Sequence, residues 1–255
     1  MRSDDVPKPA NSAAARPEKA GVPSGLDASR EFWDEKAKEN PYWYVSSFGS
    51  YDNRNLDEFW KSGEKIWSDL KRALDYRPRP SDVVVEIGCG VGRLSRVIAP
   101  EVSHLDALDI SAEMLAEAGK MEARNVSFHR ADGNDLRMLP DGIADLVLAY
   151  CVFQHLPSVE VLGRYLKEMV RVAKPGGIIA FTVTPRTWRV FLRPASQLRR
   201  WLIERFAHGG PTDLYRHAWL GIRPSKKAIE AASPVTLKRS TLHGDKWLFV
   251  GRRES

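Results

Sequence analysis

Val83-Val84-Val85-Glu86-Ile87-Gly88-Cys89-Gly90-Val91-Gly92-Arg93-Leu94-Ser95 is the stretch from which the fold can be read. It opens on β-branched residues with no charge before Glu86, the pattern of a strand buried on both faces. Gly88, Gly90 and Gly92 then permit a tight turn and let a ligand approach the backbone closely. Leu94, Val97 and Ile98 follow at helical spacing. The unit is therefore strand, glycine loop, helix, with an acid near the strand's end. A dinucleotide fingerprint would place its third glycine at position 93, where the helix start must admit a pyrophosphate. Arginine stands there, and no Gly-Lys-Ser/Thr follows, so the cradled ligand is expected to be a nucleoside without phosphates.

Working outward, strands are expected at 105–109, 126–130, 144–149 and 178–184, with helices between them, the last at 159–172 and stopped by Lys174-Pro175-Gly176-Gly177. Strands alternating with helices at this spacing make a doubly wound, parallel α/β sheet of Rossmann-like type. Two final runs, 235–241 and 246–251, are separated by His243-Gly244-Asp245 and read as an antiparallel terminal hairpin, giving seven strands in all. Before the sheet, residues 1–28 are rich in Pro, Ala, Ser and Gly and read as a disordered tail. Residues 29–80 read as a helical cap, with helices at 28–40 and 56–74 around the aromatic cluster Pro41-Tyr42-Trp43-Tyr44-Val45. The sheet domain is expected over 81–255, interrupted before strand 6 by a helical insertion at 185–232 with a basic helix at 187–206.

Composition narrows the setting. A 255-residue chain with 43% hydrophobic and 28% charged residues is ordinary for a globular protein. No signal pattern and no apolar run of about 18 residues occurs, which predicts a cytoplasmic protein with no membrane span. Cys89 and Cys151 are the only cysteines, too few for a disulfide framework. The net charge of +6 is uneven: from Arg186 onward there are 15 Lys+Arg against 5 Asp+Glu. That basic excess bears on partners rather than on fold.

Glu86-x-Gly88-x-Gly90-x-Gly92 resembles the first motif of the class I S-adenosylmethionine-dependent methyltransferases, and the resemblance covers about residues 82–184. It implies S-adenosyl-L-methionine as cofactor. Gly88, Cys89, Gly90 and Gly92 would lie against its amino-acid end. Glu86 either organises the loop or recognises the ammonium indirectly. Asp109, 19 residues beyond Gly90 at the end of strand 2, matches the acid that accepts from the ribose hydroxyls, with helix capping as the alternative. Ile110 and Met114 would flank the adenine. Asp132, followed by Gly133, matches the position that accepts from the adenine amino group, or is simply a turn aspartate. Tyr150, after strand 4, and Tyr44, in a lid with Trp43, complete the cofactor set; packing of the cap is the other reading of these aromatics.

The methyl group must pass in line from sulfonium to acceptor, so the protein's work is alignment plus removal of a proton from a hydroxyl. His155 is the candidate general base, its ordinary pKa of about 6.5 leaving it mostly neutral at pH 7; a structural role is the alternative. Gln154, Trp188, Arg189, His217 and Trp219 are the candidate acceptor-binding residues, His217 also a second base. Cations mixed with indoles in the insertion suit an anionic or sugar-like acceptor, or RNA, or simply form a solvated face. No ligand spacing for a metal is present. The leading expectation is O-methylation of a hydroxylated small molecule. N-methylation of a small molecule, RNA methylation and a non-catalytic cofactor-binding subunit are the rivals.

Overall fold

The computed structural model describes residues 25–46, 55–184, 221–242 and 246–254. Its centre is one seven-stranded sheet: β1 (Val83–Ile87), β2 (His104–Asp109), β3 (Val126–Arg130), β4 (Ala144–Ala149), β5 (Ala173–Val183), β6 (Lys238–Leu242) and β7 (Lys246–Arg252), in the order β3-β2-β1-β4-β5-β7-β6. The first five strands run parallel. β7 pairs antiparallel with both β5 and β6. The strand order reverses between β1 and β4, so the loops after these two strands open a crevice at the sheet's C-terminal edge.

Both faces of the sheet are covered. On one, α6 (Val159–Val172) buries Val161, Leu162, Tyr165, Leu166, Met169 and Val172, spaced as one helical stripe, against Val147, Phe181 and Phe249. Each such side chain contributes about 1.5–3 kcal/mol on leaving water. Ser158 caps that helix, its hydroxyl accepting from the Val161 N–H. On the other face α3 (Leu56–Leu74) buries Ile66, Trp67, Leu70 and Leu74 against Val84, Leu146 and Leu148. A third cluster joins α1 (Leu26–Glu39), α2 (Pro41–Ser46), α3 and α5 (Ala112–Ala118) through Ala37, Trp43, Tyr44, Phe59, Val91 and Met114.

Several boundaries differ from the sequence reading. The aromatic cluster is itself a short helix, α2, and α1 begins at Leu26, inside the segment expected as tail. The helix after β1 is one turn, α4 (Ser95–Ile98), continued by a 3-10 turn through Glu101. Lys174-Pro175-Gly176-Gly177 does not precede β5 but lies within it: the partners of β4 jump from Ala173 to Ile178, and Gly176, at φ 78°, lets the chain loop out between them. β6 starts at Lys238 rather than at 235. Of the expected insertion, α7 (Lys226–Ala232) is described; the basic helix at 187–206 lies outside the described residues, as do residues 1–24 of the tail.

Candidate active site

Leaving β1, the chain takes a path that only glycine follows easily. Gly88, Gly90 and Gly92 have φ of 70°, 55° and 80°. Gly88 and Cys89 each donate an N–H to the Leu108 carbonyl, at 2.7 and 2.9 Å, which ties the loop to the end of β2. A Cβ on Gly88 would stand 2.2 Å from Val152 Cγ2, and one on Gly90 would stand 2.8 Å from Val45 Cγ2. The loop is thus a cradle whose floor must be bare backbone.

Two buried acids organise it. Asp109 Oδ2 accepts from the Gly90 N–H at 2.8 Å, and Oδ1 accepts from the Ser111 N–H at 2.9 Å. An ionised carboxylate offers about four acceptor positions, so both oxygens keep capacity for hydroxyl donors. Burial pushes the Asp109 carboxyl above its ordinary value against the pull of these N–H groups. Capping of α5 falls instead to Ser111, whose Oγ accepts from the Met114 N–H at 3.1 Å. Glu86 is buried and accepts from Ser95 Oγ at 2.6 Å, stitching the strand to α4. Burial lifts its pKa to about 7, opposed by that hydrogen bond and by Arg93.

After β4, Cys151 adopts a left-handed φ of 61° and donates its N–H to Thr182 Oγ1 at 2.8 Å. This turn brings Val152 onto Gly88 of the glycine loop, and Phe153–His155 follow as a 3-10 turn. Gln154 is buried, its Oε1 accepting from Thr184 Oγ1 at 3.0 Å, and its amide nitrogen lies 3.3 Å from His155 Nε2. The Trp33 ring meets the imidazole edge-on at 5.1 Å between centroids. Burial brings His155 down to about 4, so the ring is neutral through the physiological range.

The remaining candidates divide into those at the cradle and those set back from it. Ile110, next in the chain to Asp109, lies against Gly133: a Cβ on Gly133 would stand 3.0 Å from Ile110 Cδ1 and 3.1 Å from Leu26 Cδ2. Asp132 Oδ1 accepts from the N–H groups of Asn134 and Asp135, the geometry of a turn aspartate. Tyr150 is partly buried beside Cys151 and Arg93. Cys89 is buried in the loop, its thiol pushed well up by burial. Met114 and Tyr44 are packed into the helical cluster, and the Tyr44 hydroxyl donates to Glu39 at 2.8 Å. Trp188, Arg189, His217 and Trp219 lie outside the described residues.

Sequence reasoning missed the face that α1 turns toward the site. Arg30 donates to the Asp132 carbonyl at 3.3 Å, and Asp34 accepts from Ser111 Oγ at 2.6 Å. With Leu26, Trp33 and Ala37 these form a stripe at i, i+4, i+7, i+8 and i+11, a legible helical signal. Among the described residues, no group of three or more His, Cys, Asp or Glu could hold a metal ion, and no helix is long and apolar enough to cross a membrane.

Residues 85–181, from mid-β1 to β5 and including the glycine loop, Asp109 and the Val152–His155 segment, match the methyltransferase domain family. The chain carries a class I S-adenosylmethionine-dependent methyltransferase domain. Outside the family match, the methyltransferase fold extends to β7, completing the seven strands. The chain is 36% identical over 114 residues to a malonyl-[acyl-carrier protein] O-methyltransferase from Pectobacterium atrosepticum, covering 44% of this chain and 42% of that protein. It is also 36% identical over 118 residues to a trans-aconitate 2-methyltransferase from Deinococcus radiodurans, covering 45% and 42%. In both cases the chain spans less than half the length of the relative it matches. Among solved structures it resembles the N-methyltransferase NodS from Bradyrhizobium japonicum in complex with S-adenosyl-L-homocysteine. There the TM-score is 0.57 at 16% identity, covering 89% of this chain and 99% of that one.

Proposed function

We propose that this protein methylates an oxygen of a small-molecule acceptor, using S-adenosyl-L-methionine as donor. The observation that carries the reading is the convergence of a bare-backbone cradle, Asp109 with open acceptor positions, and the Val152–His155 segment at the β1/β4 switch point. Gly88 and Gly90 keep the loop free of side chains where Val152 and Val45 close on it, so that its backbone would face the amino-acid portion of the donor, and Asp109 is available to ribose hydroxyls. When bound, the donor supplies an electrophilic methyl group on a sulfonium centre. His155 would take the acceptor's proton as a neutral imidazole, with the Trp33 ring packed edge-on against it. Two relatives support oxygen over nitrogen: one is named as an O-methyltransferase, and the other's name specifies an acid.

Calorimetric titration with S-adenosylmethionine and S-adenosylhomocysteine tests the cofactor, and a screen for S-adenosylhomocysteine release over phenols, sugars and acids finds the acceptor. With the acceptor in hand, His155→Ala is expected to lower turnover by roughly 10²–10⁴-fold, as loss of a general base does. Donor affinity should be unchanged. Full turnover in that variant would remove His155 from the role and favour an acceptor that is already anionic.

A further inference from the structure

Arg93 is the first residue after the cradle, and its charge is stranded. The side chain is 6% exposed. Its Cγ packs beneath α3, where a Cβ on Gly63 would stand 3.1 Å from it, and the guanidinium lies 5.5 Å from the Phe59 ring centroid. Nη1 reaches only Ser62 Oγ, at 3.4 Å, and Nε has no hydrogen-bond partner among the described residues. No carboxylate among the described residues forms an ion pair with it. Glu86 acts on it through space but makes its hydrogen bond with Ser95, and the neighbouring Tyr150 and Cys151 are held neutral by burial. A buried cation with no anion is costly, and a guanidinium presents a planar fork suited to a carboxylate.

We infer that Arg93 binds a carboxylate of a bound molecule, its open guanidinium edge lying between the glycine loop and the end of β4. This deepens the methyltransferase reading and rests on it. Arg93 directly follows the glycine loop and neighbours Tyr150 and Cys151 at the end of β4, so on that reading the carboxylate belongs either to the amino-acid end of the cofactor or to an acidic acceptor. A monoanion neutralises one guanidinium, whereas a phosphate dianion would leave excess charge in a buried niche.

The test compares wild type, Arg93→Met and Arg93→Lys by calorimetry, with unfolding midpoints read alongside. Arg93→Met keeps the stem and removes the charge, so its midpoint should not fall; Arg93→Lys keeps the charge without the fork and serves as the second variant. The probes are S-adenosylhomocysteine, 5′-methylthioadenosine (which lacks the amino acid), malonate and trans-aconitate. If the carboxylate is the cofactor's, S-adenosylhomocysteine affinity falls about 10- to 100-fold in Arg93→Met, while 5′-methylthioadenosine binds all three proteins alike. If it is the acceptor's, S-adenosylhomocysteine is unaffected, and the acids lose binding by that factor on the cofactor-loaded protein. Unchanged affinities for all probes, or binding of inorganic phosphate but neither acid at an Arg93-dependent site, would overturn the assignment. Failure of folded wild type to bind S-adenosylhomocysteine would instead overturn the methyltransferase reading itself.

Discussion

The two edges of the parallel sheet each bury carboxylates, and treat them in opposite ways. At the N-terminal edge Asp82 accepts from Tyr76 Oη at 2.8 Å, from the Arg79 N–H at 3.1 Å and from Arg79 Nε at 2.8 Å. Burial pushes it upward, yet those donors outweigh burial and hold it below the ordinary carboxylate range. Beside it Asp145 takes the Val83 N–H and Lys174. At the C-terminal edge Asp109 and Glu86 are buried as deeply, but receive only backbone N–H groups or one hydroxyl, and burial wins. The first edge is electrostatically finished. The second holds acids with spare acceptor capacity that no cation hydrogen-bonds among the described residues, Arg93 acting on Glu86 only through space, an arrangement that costs stability and that a ligand's own donors would complete.

The largest expected effect lies at the unfinished edge. Asp109→Ala removes the acceptor for the Gly90 and Ser111 N–H groups and, on the proposed reading, for two ribose hydroxyls. Two charge-assisted hydrogen bonds correspond to a loss of about 10²–10⁴-fold in S-adenosylhomocysteine affinity, measured by calorimetry. An affinity within threefold of wild type would mean that Asp109 only organises the loop.

Next is the pH dependence of stability. Glu86 is lifted from 4.5 to about 7, so the folded state holds its proton through an interval where the unfolded chain has released it. Its contribution is complete below the ordinary value and disappears as pH rises to about 7, amounting to about 3 kcal/mol. His155 acts in the opposite sense: lowered from 6.5 to about 4, it contributes fully above 6.5 and loses that contribution as pH falls. The two oppose each other between those limits, so the measurement must be a difference. Denaturant unfolding of wild type and Glu86→Gln from pH 5 to 8 should show the variant lacking the downward slope with rising pH. Parallel curves would mean that the Glu86 proton is not held.

Asp82→Ala leaves Tyr76 Oη and the Arg79 N–H without their acceptor and should cost about 2–3 kcal/mol of stability. S-adenosylhomocysteine affinity should not change. Because Asp82 is held low, its contribution is present above the ordinary carboxylate value and lost as pH falls below it, the reverse of Glu86. A variant that lost affinity along with stability would break the division between the two edges.

How much of this was readable depends on the range of the interaction involved. The glycine loop, Asp109 and Ser111 are near one another along the chain, and their residue types declare their backbone roles, so the strand–loop–helix unit and its partner acid could be read directly. The parallel, doubly wound sheet followed from the alternation of strands and helices, while its strand order, and with it the neighbourhood of the loops after β1 and β4, came from the structure. What did not follow was which apolar side chains reach over the cradle. Trp43 and Tyr44 were the conspicuous aromatics and are buried with Met114 and the loop's own Val91, while the less conspicuous Val45 meets Gly90, Trp33 meets His155 and Leu26 meets Gly133. That choice depends on the docking angle of α1 and α2, which residue type does not encode. The Lys174–Gly177 segment misled for a local reason: Pro and Gly mark a stop in a helix, but also a loop-out inside a strand.

Gly176 and Gly88 sharpen the contrast at its smallest scale. Both are left-handed, with φ of 78° and 70°, so both resist a Cβ through the backbone alone. At Gly88 the Cβ would also strike Val152, whereas at Gly176 nothing lies within 4 Å. Gly176→Ala should therefore cost only the conformational term, about 1–2 kcal/mol, and leave ligand affinity untouched. Its N–H donates to the Arg253 carbonyl at 2.9 Å, and its carbonyl accepts from Arg252 Nη1, so the strained turn is clamped to the end of β7 from both sides. A loss well above 2 kcal/mol would show that the clamp cannot absorb the strain. The N-terminal edge would then be as intolerant of a side chain as the cradle, for backbone rather than ligand reasons.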